Sequence, residues 1–487
     1  MSEAGLTTLI SRIDFAWITT MHILYPPLTI GLSIILFLSE WRWNRTDDEK
    51  WYRLCRFFER LFIINFGAAV ATGVTMEMAF GILFGRFSQA AGPLVGQLLG
   101  YETISAFMYE AGFLGLMVFG WGKINKRMHL FATFNVALAS TISAWWILDA
   151  NSWMQTPTGV VLKNGVFEVE NWLAALLNPD SFVAFWHIEV ASVELALCFV
   201  AAVSAWFLLK QRHVELFLKP LKIAVFSLLL IAPLQIFIGD SSGQLTAKHQ
   251  PAALAAMEGH YRTRLPNGEP NTSWNVVAWP DADGHGNAWS IKIPHALSLL
   301  ENHTWNSAVP GLDTIPAADR PPVVIPFYAF RAMSAVGTAV FLLALWGAWL
   351  AFRGRLSVAK VCANRWFLRA ALLGVALPYL GIWTGWWTRE VGRQPWVVYG
   401  LMRTADGVSH MSLTLAVSWL VGFMAFELMA SGATFYFMTK VVRLGPDLDS
   451  PVVTDGPAHE ARRLPRFAAM PDRPTPGGMA AFTQNHE

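Results

Sequence analysis

Residues 182–199, FVAFWHIEVASVELALCF, decide the fold class of this chain. Most of the stretch falls in a segment from about 184 to 209 that meets the requirement of about 20 mainly apolar residues for a transmembrane helix. Eight further segments meet the same requirement. The sequence therefore predicts an all-α integral membrane protein with nine transmembrane helices, at about 15–39, 57–83, 100–120, 129–149, 184–209, 220–240, 325–352, 367–388 and 411–440.

The overall composition supports this class. Hydrophobic residues make up 54% of the 487 residues, only 14% are charged, and the mean hydropathy is +0.39, which is too apolar for an ordinary soluble enzyme. The formal net charge of +2 gives no reason to expect nucleic acid as a partner. The three cysteines stand far apart without CxxC or CxxCH spacing, which excludes a thiolate metal cluster and a covalently attached haem c.

Charged residues in the connections predict the orientation, because Lys and Arg stay on the cytoplasmic side. The connections rich in Lys and Arg follow the first, third, fifth and seventh segments. They contain Arg42, Arg45, Lys50, Arg53, Arg56, Lys123, Lys126, Arg127, Lys210, Arg212, Lys219, Lys222, Arg353, Arg355, Lys360 and Arg365. We therefore expect a periplasmic N-terminus and a cytoplasmic C-terminus. The start lacks a cleavable signal peptide, so the first apolar run is expected to be retained.

The predicted helices also divide the chain. Residues 1–240 would hold the first six helices, 241–324 a periplasmic loop, and 325–440 the last three helices. Residues 441–487 are rich in Pro, Arg and Asp and poor in aromatic residues, which is typical of a disordered cytoplasmic tail.

Unusual polar residues gather in the predicted outer half of the bundle. They are His22, Glu102, Glu110, His187, Arg331, Met333 and Glu390. An ionisable group in a bilayer costs several kcal/mol unless it is paired or coordinated, so these positions are functional candidates. His22 and His187 lie inside apolar runs, where metal ligation and a buried hydrogen bond are both open. His129 and His410 are better explained as interfacial anchors or interhelical hydrogen-bond partners, and Met333 taken alone as core filler.

Imidazole, thioether and carboxylate groups at one depth suit haem iron. A His/Met pair fills both axial positions of a low-spin haem, whereas a single His or Glu leaves a position open for a gas. A haem-copper centre would need several histidines on neighbouring helices, and a dihaem cytochrome b would need paired histidines about four turns apart. These helices have neither pattern.

A longer set of motifs gives a family resemblance. GWWTREVGRQPW at 385–396 matches the pattern GWxxxExGRQPW and continues into VVYGLMRTADGVS. Further matches are His22 before PPLTIG, HLFATFNVALAS, NSWMQTP, GDSSG, QPAALAAMEG, VPGLD and FRAM at 330–333. With these motifs the chain resembles subunit I of the cytochrome bd-type terminal oxidases across residues 10–440. FGRFSQAAG stands in place of the family's FGTNW, and Ala253 stands where the family usually has Lys; together these departures suggest a divergent branch of the cyanide-insensitive type.

The resemblance implies a set of haem ligands. His187 and Met333 would be the axial ligands of a low-spin haem b. His22 and Glu390 would serve a high-spin pair, made of a haem b with a haem d or a further haem b, and Glu102 would be a carboxylate at the same centre. The remaining implied roles are a proton relay for Glu110 and the stabilisation of a reduced haem or a propionate for Arg331. Arg389 and Arg393 would offset haem propionates and the Glu390 carboxylate, and Trp386 would form part of an aromatic wall.

The resemblance also implies an activity. The loop 241–324 would oxidise quinol on the outer side, with Glu258 accepting a proton, while O2 is reduced to water with cytoplasmic protons. Ala253 stands where the family usually has Lys, and Lys248 is a candidate substitute. A non-quinol donor such as a soluble cytochrome therefore stays open, as does a haem-free proton transporter. The expected partners are a homologous second subunit and a small single-helix subunit, in the bacterial cytoplasmic membrane.

Overall fold

The structure is a computed structural model that describes residues 3–281 and 286–453. Its helices are α1 Glu3–His22, α2 Pro26–Thr46, α3 Glu49–Ile82, α4 Gly85–Ala91, α5 Gln97–Glu102, α6 Met108–Phe119, α7 Lys126–Gln155, α8 Trp172–Leu176, α9 Ser181–Leu209, α10 Val214–His249, α11 Pro251–Met257, α12 Ala296–Asn302, α13 Val324–Phe352, α14 Arg365–Leu373, α15 Ala376–Gly392, α16 Thr404–Gly407 and α17 Leu413–Leu444. The predicted helical class is thereby supported.

Eight helical stretches within the described residues are long and apolar enough to cross a membrane. They are Gly5–Thr46, Glu49–Ile82, Lys126–Gln155, Trp172–Leu209, Val214–His249, Val324–Phe352, Arg365–Gly392 and Leu413–Leu444. The segment predicted at 100–120 is missing from this set. It is divided between α5 and α6, which are joined by a π-helical turn at Thr103–Phe107, and a second π turn at Gly92–Gly96 precedes α5. Neither short helix meets the length requirement by itself.

Two other predicted helices are interrupted. The first breaks at residues 23–25, between α1 and α2, because Pro26 and Pro27 lack the N–H donors that would continue the helical ladder. The eighth is divided into α14 and α15 around Gly374. Both breaks lie inside apolar runs that hydropathy alone treats as continuous.

Helix α9 lies at the centre of the bundle and contacts α2, α7, α10, α14 and α15. It is apolar on all sides, which is typical of a fully surrounded helix. Its contact with α2 is close: a Cβ atom on Gly31 would lie 2.1 Å from the Ser192 carbonyl oxygen. A small residue at that position lets the two backbones approach, as is common between membrane helices.

One end of the bundle collects the Lys- and Arg-rich connections. Lys126 pairs with Asp47 at 2.6 Å, and Lys219 pairs with Asp48 at 2.6 Å. These contacts bring the connections after α2, α6 and α9 together. The arrangement agrees with the predicted cytoplasmic face, although the orientation in a membrane stays a prediction.

The opposite end carries three small antiparallel hairpins and the longest connection. The hairpins pair β1 Val160–Lys163 with β2 Val166–Val169, β3 Trp274–Pro280 with β4 Asn287–Ile293, and β5 Trp396–Val398 with β6 Met402–Arg403. The prediction of a loop from residue 241 was wrong at its start, because α10 continues to His249. The connection proper spans 250–323. At the C-terminus α17 continues to Leu444, and most of the predicted tail lies outside the described residues.

Candidate functional site

Each of three predicted haem ligands faces a glycine on a neighbouring helix. A Cβ atom built on Gly73 would lie 3.5 Å from Cε1 of His22, and one on Gly239 would lie 3.4 Å from Cε1 of His187. A Cβ atom on Gly385 would lie only 3.0 Å from Sδ of Met333. At Gly73 and Gly239 the added atom would make an ordinary van der Waals contact with the imidazole, whereas at Gly385 it would crowd the sulfur, so glycine there lets Met333 pack closely against α15.

His187 on α9 and Met333 on α13 belong to two helices that both pack against α10. The Gln235 amide nitrogen is 3.3 Å from both ring nitrogens of His187. One position further along α10, the Ile236 side chain lies 3.8 Å from a Cβ atom built on Gly337, one turn beyond Met333. The imidazole and the thioether are therefore at similar levels of the bundle.

Glu390 is the centre of a hydrogen-bond network near the C-terminal end of α15. Its Oε1 atom accepts hydrogen bonds from Asn151 at 2.9 Å and from Gln155 at 3.1 Å, both on α7. Its Oε2 atom forms an ion pair with Arg393. These donors fix the direction of the carboxylate, as outer-shell partners do for a metal-ligating carboxylate.

Two side chains next to this network keep buried donors without a protein partner. Arg393 is 3% exposed, and its Nε and Nη1 atoms have no acceptor among the described residues. The same is true of the Trp386 ring nitrogen. Arg389, which the sequence also assigned to haem propionates, instead binds Asp180 and the Asn151 side chain. Arg393 is therefore the better candidate for an anionic group.

Glu102 and Glu110 both face α7. Glu102 accepts a hydrogen bond from the Ser143 hydroxyl at 2.8 Å, and Glu110 accepts one from the Ser140 hydroxyl at 2.6 Å. The structure thus brings the two predicted carboxylates to one helix face, with hydroxyl groups beside each.

Glu258 forms a buried ion pair with Arg331. The carboxylate is 3% exposed and lies 2.6 Å from the Arg331 guanidinium, which also donates to the Asn275 carbonyl at 2.6 Å. Burial raises the pKa of the Glu258 carboxyl above its ordinary value, and the charge of Arg331 partly offsets that rise. The haem or propionate role of Arg331 stays a prediction: its Nε and Nη2 atoms bind the long connection, whereas its buried Nη1 atom has no acceptor among the described residues.

The position of the missing lysine is buried. Ala253 lies on α11, 5% exposed, and its side chain is 3.6 Å from a Cβ atom built on Gly392. Lys248 is exposed at the end of α10, so it does not occupy the same place. Nearby, the Gln250 amide donates to the Gln155 side chain at 2.8 Å, which joins the long connection to the Glu390 network.

Comparisons with known proteins agree with this geometry. A sequence model of the family described as "Cytochrome bd terminal oxidase subunit I" matches residues 10–446. The chain belongs to this family. It is 34% identical to cytochrome bd ubiquinol oxidase subunit 1 of Bacillus subtilis (strain 168), over 93% of this chain and 97% of that protein. It is 33% identical to cytochrome bd-II ubiquinol oxidase subunit 1 of Escherichia coli (strain K12), over 90% and 96%.

A solved structure shares the fold. The bd oxidase from Geobacillus thermodenitrificans superposes with a TM-score of 0.83 at 28% identity, and the match covers 91% of this chain and 100% of that one. The predicted resemblance to cytochrome bd subunit I is therefore confirmed, and the chain is an integral membrane protein of a haem-containing oxidase family.

The site residues are compatible with haem in a cytochrome bd subunit. A glycine packs against each of His22, His187 and Met333, and Arg393 offers unpartnered donors of the kind that bind a propionate. Among the described residues, no three His, Cys, Asp or Glu side chains are placed to share one bare metal ion. Candidate ligands that stand singly suit porphyrin iron, which the protein ligates through only one or two atoms.

Sequence reasoning missed several partners in this cytochrome bd subunit. Asn151 and Gln155 stand four residues apart in the quoted motifs, and this spacing places both on one face of α7, but neither was given a role. Glu40 was also missed. It binds His129 at 2.7 Å, and the other ring nitrogen of His129 lies 2.9 Å from the Met117 carbonyl oxygen. Of the two explanations offered for His129, the interhelical hydrogen bond is the one found.

Proposed function

We propose that this chain is the subunit of a bd-type oxidase that oxidises quinol at its outer face and contains the site of O2 reduction. In this proposal the enzyme takes the protons for water from the cytoplasm and does not pump. The chain would cross the bacterial cytoplasmic membrane nine times, counting the helix divided between α5 and α6, with its N-terminus outside. It would work with a homologous second subunit and a small single-helix subunit.

The ion pair between Glu258 and Arg331 is the observation that carries the proposal. Quinol oxidation releases two protons, which need an acceptor within hydrogen-bond reach. Glu258 is a buried carboxyl in the long connection, and its partner Arg331 stands two residues before Met333 on α13. The pair thus joins the expected proton acceptor directly to the helix that bears an expected haem ligand.

The haem ligands of the proposal are supported by the glycine contacts of His22, His187 and Met333 and by the hydrogen-bond donors around Glu390. His187 and Met333 would hold the low-spin haem b, and His22, Glu390 and Glu102 the high-spin pair, formed by haem b with haem d or a further haem b. Haem supplies reversible one-electron transfer and an open iron position for O2. Arg393 would neutralise a propionate, Trp386 would wall the macrocycle, and Asn151 and Gln155 would orient Glu390.

Proton supply is assigned to the carboxylates that face α7. Glu110 is 5% exposed and bonded to Ser140, and Glu102 is bonded to Ser143 closer to the outer end. A carboxyl with a hydroxyl neighbour can take a proton from one side and donate it to the other. We assign Glu110 the relay step and Glu102 the delivery step.

One observation favours an electron donor other than quinol. Ala253 places a methyl group where the family usually has an ammonium, and Lys248 does not replace it, so a quinol head group loses one polar contact. A soluble cytochrome as donor would explain that loss. Quinol is preferred because a one-electron carrier protein would leave Glu258 without a proton to accept.

Replacement of Glu258 by Gln tests the electron donor. The variant keeps the shape of the side chain but cannot accept a proton, so quinol oxidation by the assembled oxidase should fall by roughly a hundredfold. O2 reduction driven by an artificial one-electron donor should stay at the wild-type rate. An equal loss in both assays would place Glu258 outside the quinol site, and reduction by cytochrome c but not by quinol would establish the alternative donor.

Replacement of Met333 by Leu tests the haem assignment. Leucine has a similar volume and no sulfur, so the low-spin absorption bands should disappear while the high-spin bands persist. A reduced-minus-oxidised spectrum of the purified oxidase provides the measurement. An unchanged low-spin band would show that another side chain ligates that iron.

A further inference from the structure

A second acidic side chain in the long connection, Glu301, is near enough to Glu258 for the charges of the two carboxylates to interact. It comes from α12, which packs against α10 and β3. Leu254 and Met257 on α11 share one apolar cluster with Leu297 on α12, so the helices that carry the two glutamates are held together. Asp240, on α10, is a third carboxylate whose charge acts on Glu301. Three separate parts of the chain thus hold carboxylates whose charges interact.

Glu258 has no direct route to water. Its side chain is 3% exposed, and its charged partner Arg331 covers one side. A buried acid that accepts protons repeatedly must pass them to a neighbour that reaches solvent. Glu301 is partly exposed, and one of its carboxylate oxygens, Oε2, is buried without a donor among the described residues. It therefore has one oxygen inside the protein while the residue as a whole reaches the surface.

The charge environment suits transfer in both directions. Burial, followed by the charges of Glu258 and Asp240, raises the pKa of Glu301 from 4.5 to about 7. A carboxyl of this kind can both bind and release a proton near neutral pH. Asp240 is less suited to this role than Glu301, because it is exposed and its carboxylate already accepts a hydrogen bond from Gln244 at 2.7 Å.

We infer that Glu301 is the relay through which protons taken from quinol by Glu258 leave for the outer solution. This inference rests on the proposed quinol site. A quinol O–H bond breaks, the proton binds Glu258, passes to Glu301 and is released to water, while the electron continues towards O2. Two such transfers for each quinol balance the oxidation to quinone. The mutual repulsion of the two carboxylates favours proton binding on one of them at a time.

Glutamine and aspartate variants of Glu301 test the relay in the assembled oxidase. Glu301→Gln cannot carry a proton, so the kcat for quinol should fall roughly tenfold or more, with KM unchanged. The part of the pH–rate profile that titrates near neutral pH should disappear. Glu301→Asp keeps a carboxyl and should recover much of the rate, and O2 reduction with an artificial donor should be unaffected. Glu269→Gln, an exposed change in the same connection, is the matched control.

The outcomes separate this inference from the proposed function. A wild-type rate and pH profile in Glu301→Gln, with slow quinol oxidation in Glu258→Gln, would overturn the relay and leave the quinol site intact. Wild-type rates in both variants would overturn the quinol site as well. A similar loss in Glu301→Gln and Glu301→Asp, extending to the artificial donor, would indicate a structural role and also refute the relay.

Discussion

Removal of Arg331 should loosen the long connection from the helical bundle. Arg331 donates from Nη2 to Glu258 at 2.6 Å and to the Asn275 carbonyl at 2.6 Å, and from Nε to the same carbonyl at 3.1 Å. In Arg331→Met the side chain keeps a similar volume but makes none of these bonds. Glu258, which is 3% exposed, would remain as an unpaired buried charge.

The size of the effect follows from the burial of the pair. Breaking a buried ion pair by removing one partner costs about 3–5 kcal/mol. Because Arg331 is 14% exposed, we expect the lower end of that range, about 3 kcal/mol. Since about 1.4 kcal/mol corresponds to a factor of ten, local opening of the connection should increase by roughly a hundredfold.

Amide hydrogen exchange followed by mass spectrometry measures this opening directly. Peptides that cover α11 and β3 should exchange faster in Arg331→Met, while peptides from α9 should not change. Arg353→Met is the matched control, because Arg353 is exposed at the other end of the same helix. The double variant with Glu258→Gln should recover part of the protection, since no buried charge is left unpaired. Unchanged exchange at α11 and β3 would refute the reasoning.

Three further expectations concern the site. Gly385→Ala would place Cβ 3.0 Å from Sδ of Met333, so the low-spin absorption band of the purified oxidase should shift or weaken. Gln155→Leu removes one of the three donors to Glu390 and should lower the thermal unfolding midpoint, since a hydrogen bond to a charged group contributes about 1.5–3 kcal/mol. For Glu301 the folded protein binds the proton more tightly than the unfolded chain does. Its contribution to stability is therefore present below about pH 4.5 and is lost as the pH rises to about 7, and Glu301→Gln should flatten that slope in thermal unfolding.

Each of these expectations has its own control. Gly243→Ala meets no atom within 4 Å and should leave the spectrum as it is, so an equal shift in both glycine variants would contradict the contact with Met333. Thr246→Ala is the control for Gln155→Leu, because it removes only a hydrogen bond to the Ser242 carbonyl. Gln155→Leu should lower the unfolding midpoint by more than this control does. If the stability of Glu301→Gln still falls between pH 4.5 and 7, that pH dependence belongs to another group.

The long helices could be predicted because their cause is local. An apolar run such as that of α9 must satisfy its own backbone hydrogen bonds in a membrane, so composition and length suffice to identify it. The break at residues 23–25 was overlooked even though Pro26 and Pro27 mark it, because the apolar run continues on both sides. The hairpin of β3 and β4 lies in a connection where no transmembrane pattern operates.

Individual site residues were easier to predict than their partners. His187 is conspicuous in an apolar run, but the Gln235 amide beside it belongs to a helix 48 residues further along the chain. Arg331 was assigned to haem because of its distance from Met333 along the sequence, whereas its ion-pair partner Glu258 lies in another element, 73 residues away. Contacts of this range depend on how helices pack, and a single sequence without comparison to others does not contain that information.

The π turn at Thr103–Phe107 sets the common direction of the two glutamates that flank it. In a regular α-helix each residue advances by about 100°, so side chains eight positions apart, as Glu102 and Glu110 are, would point about 80° away from each other. The wider turn accommodates one surplus residue and cancels most of that divergence. Deleting a single residue there would restore regular helical geometry and leave the two glutamates seven positions apart, about 20° from a common direction, so both should still face α7. Here an irregular backbone, rather than a polar substitution, aligns the two acids.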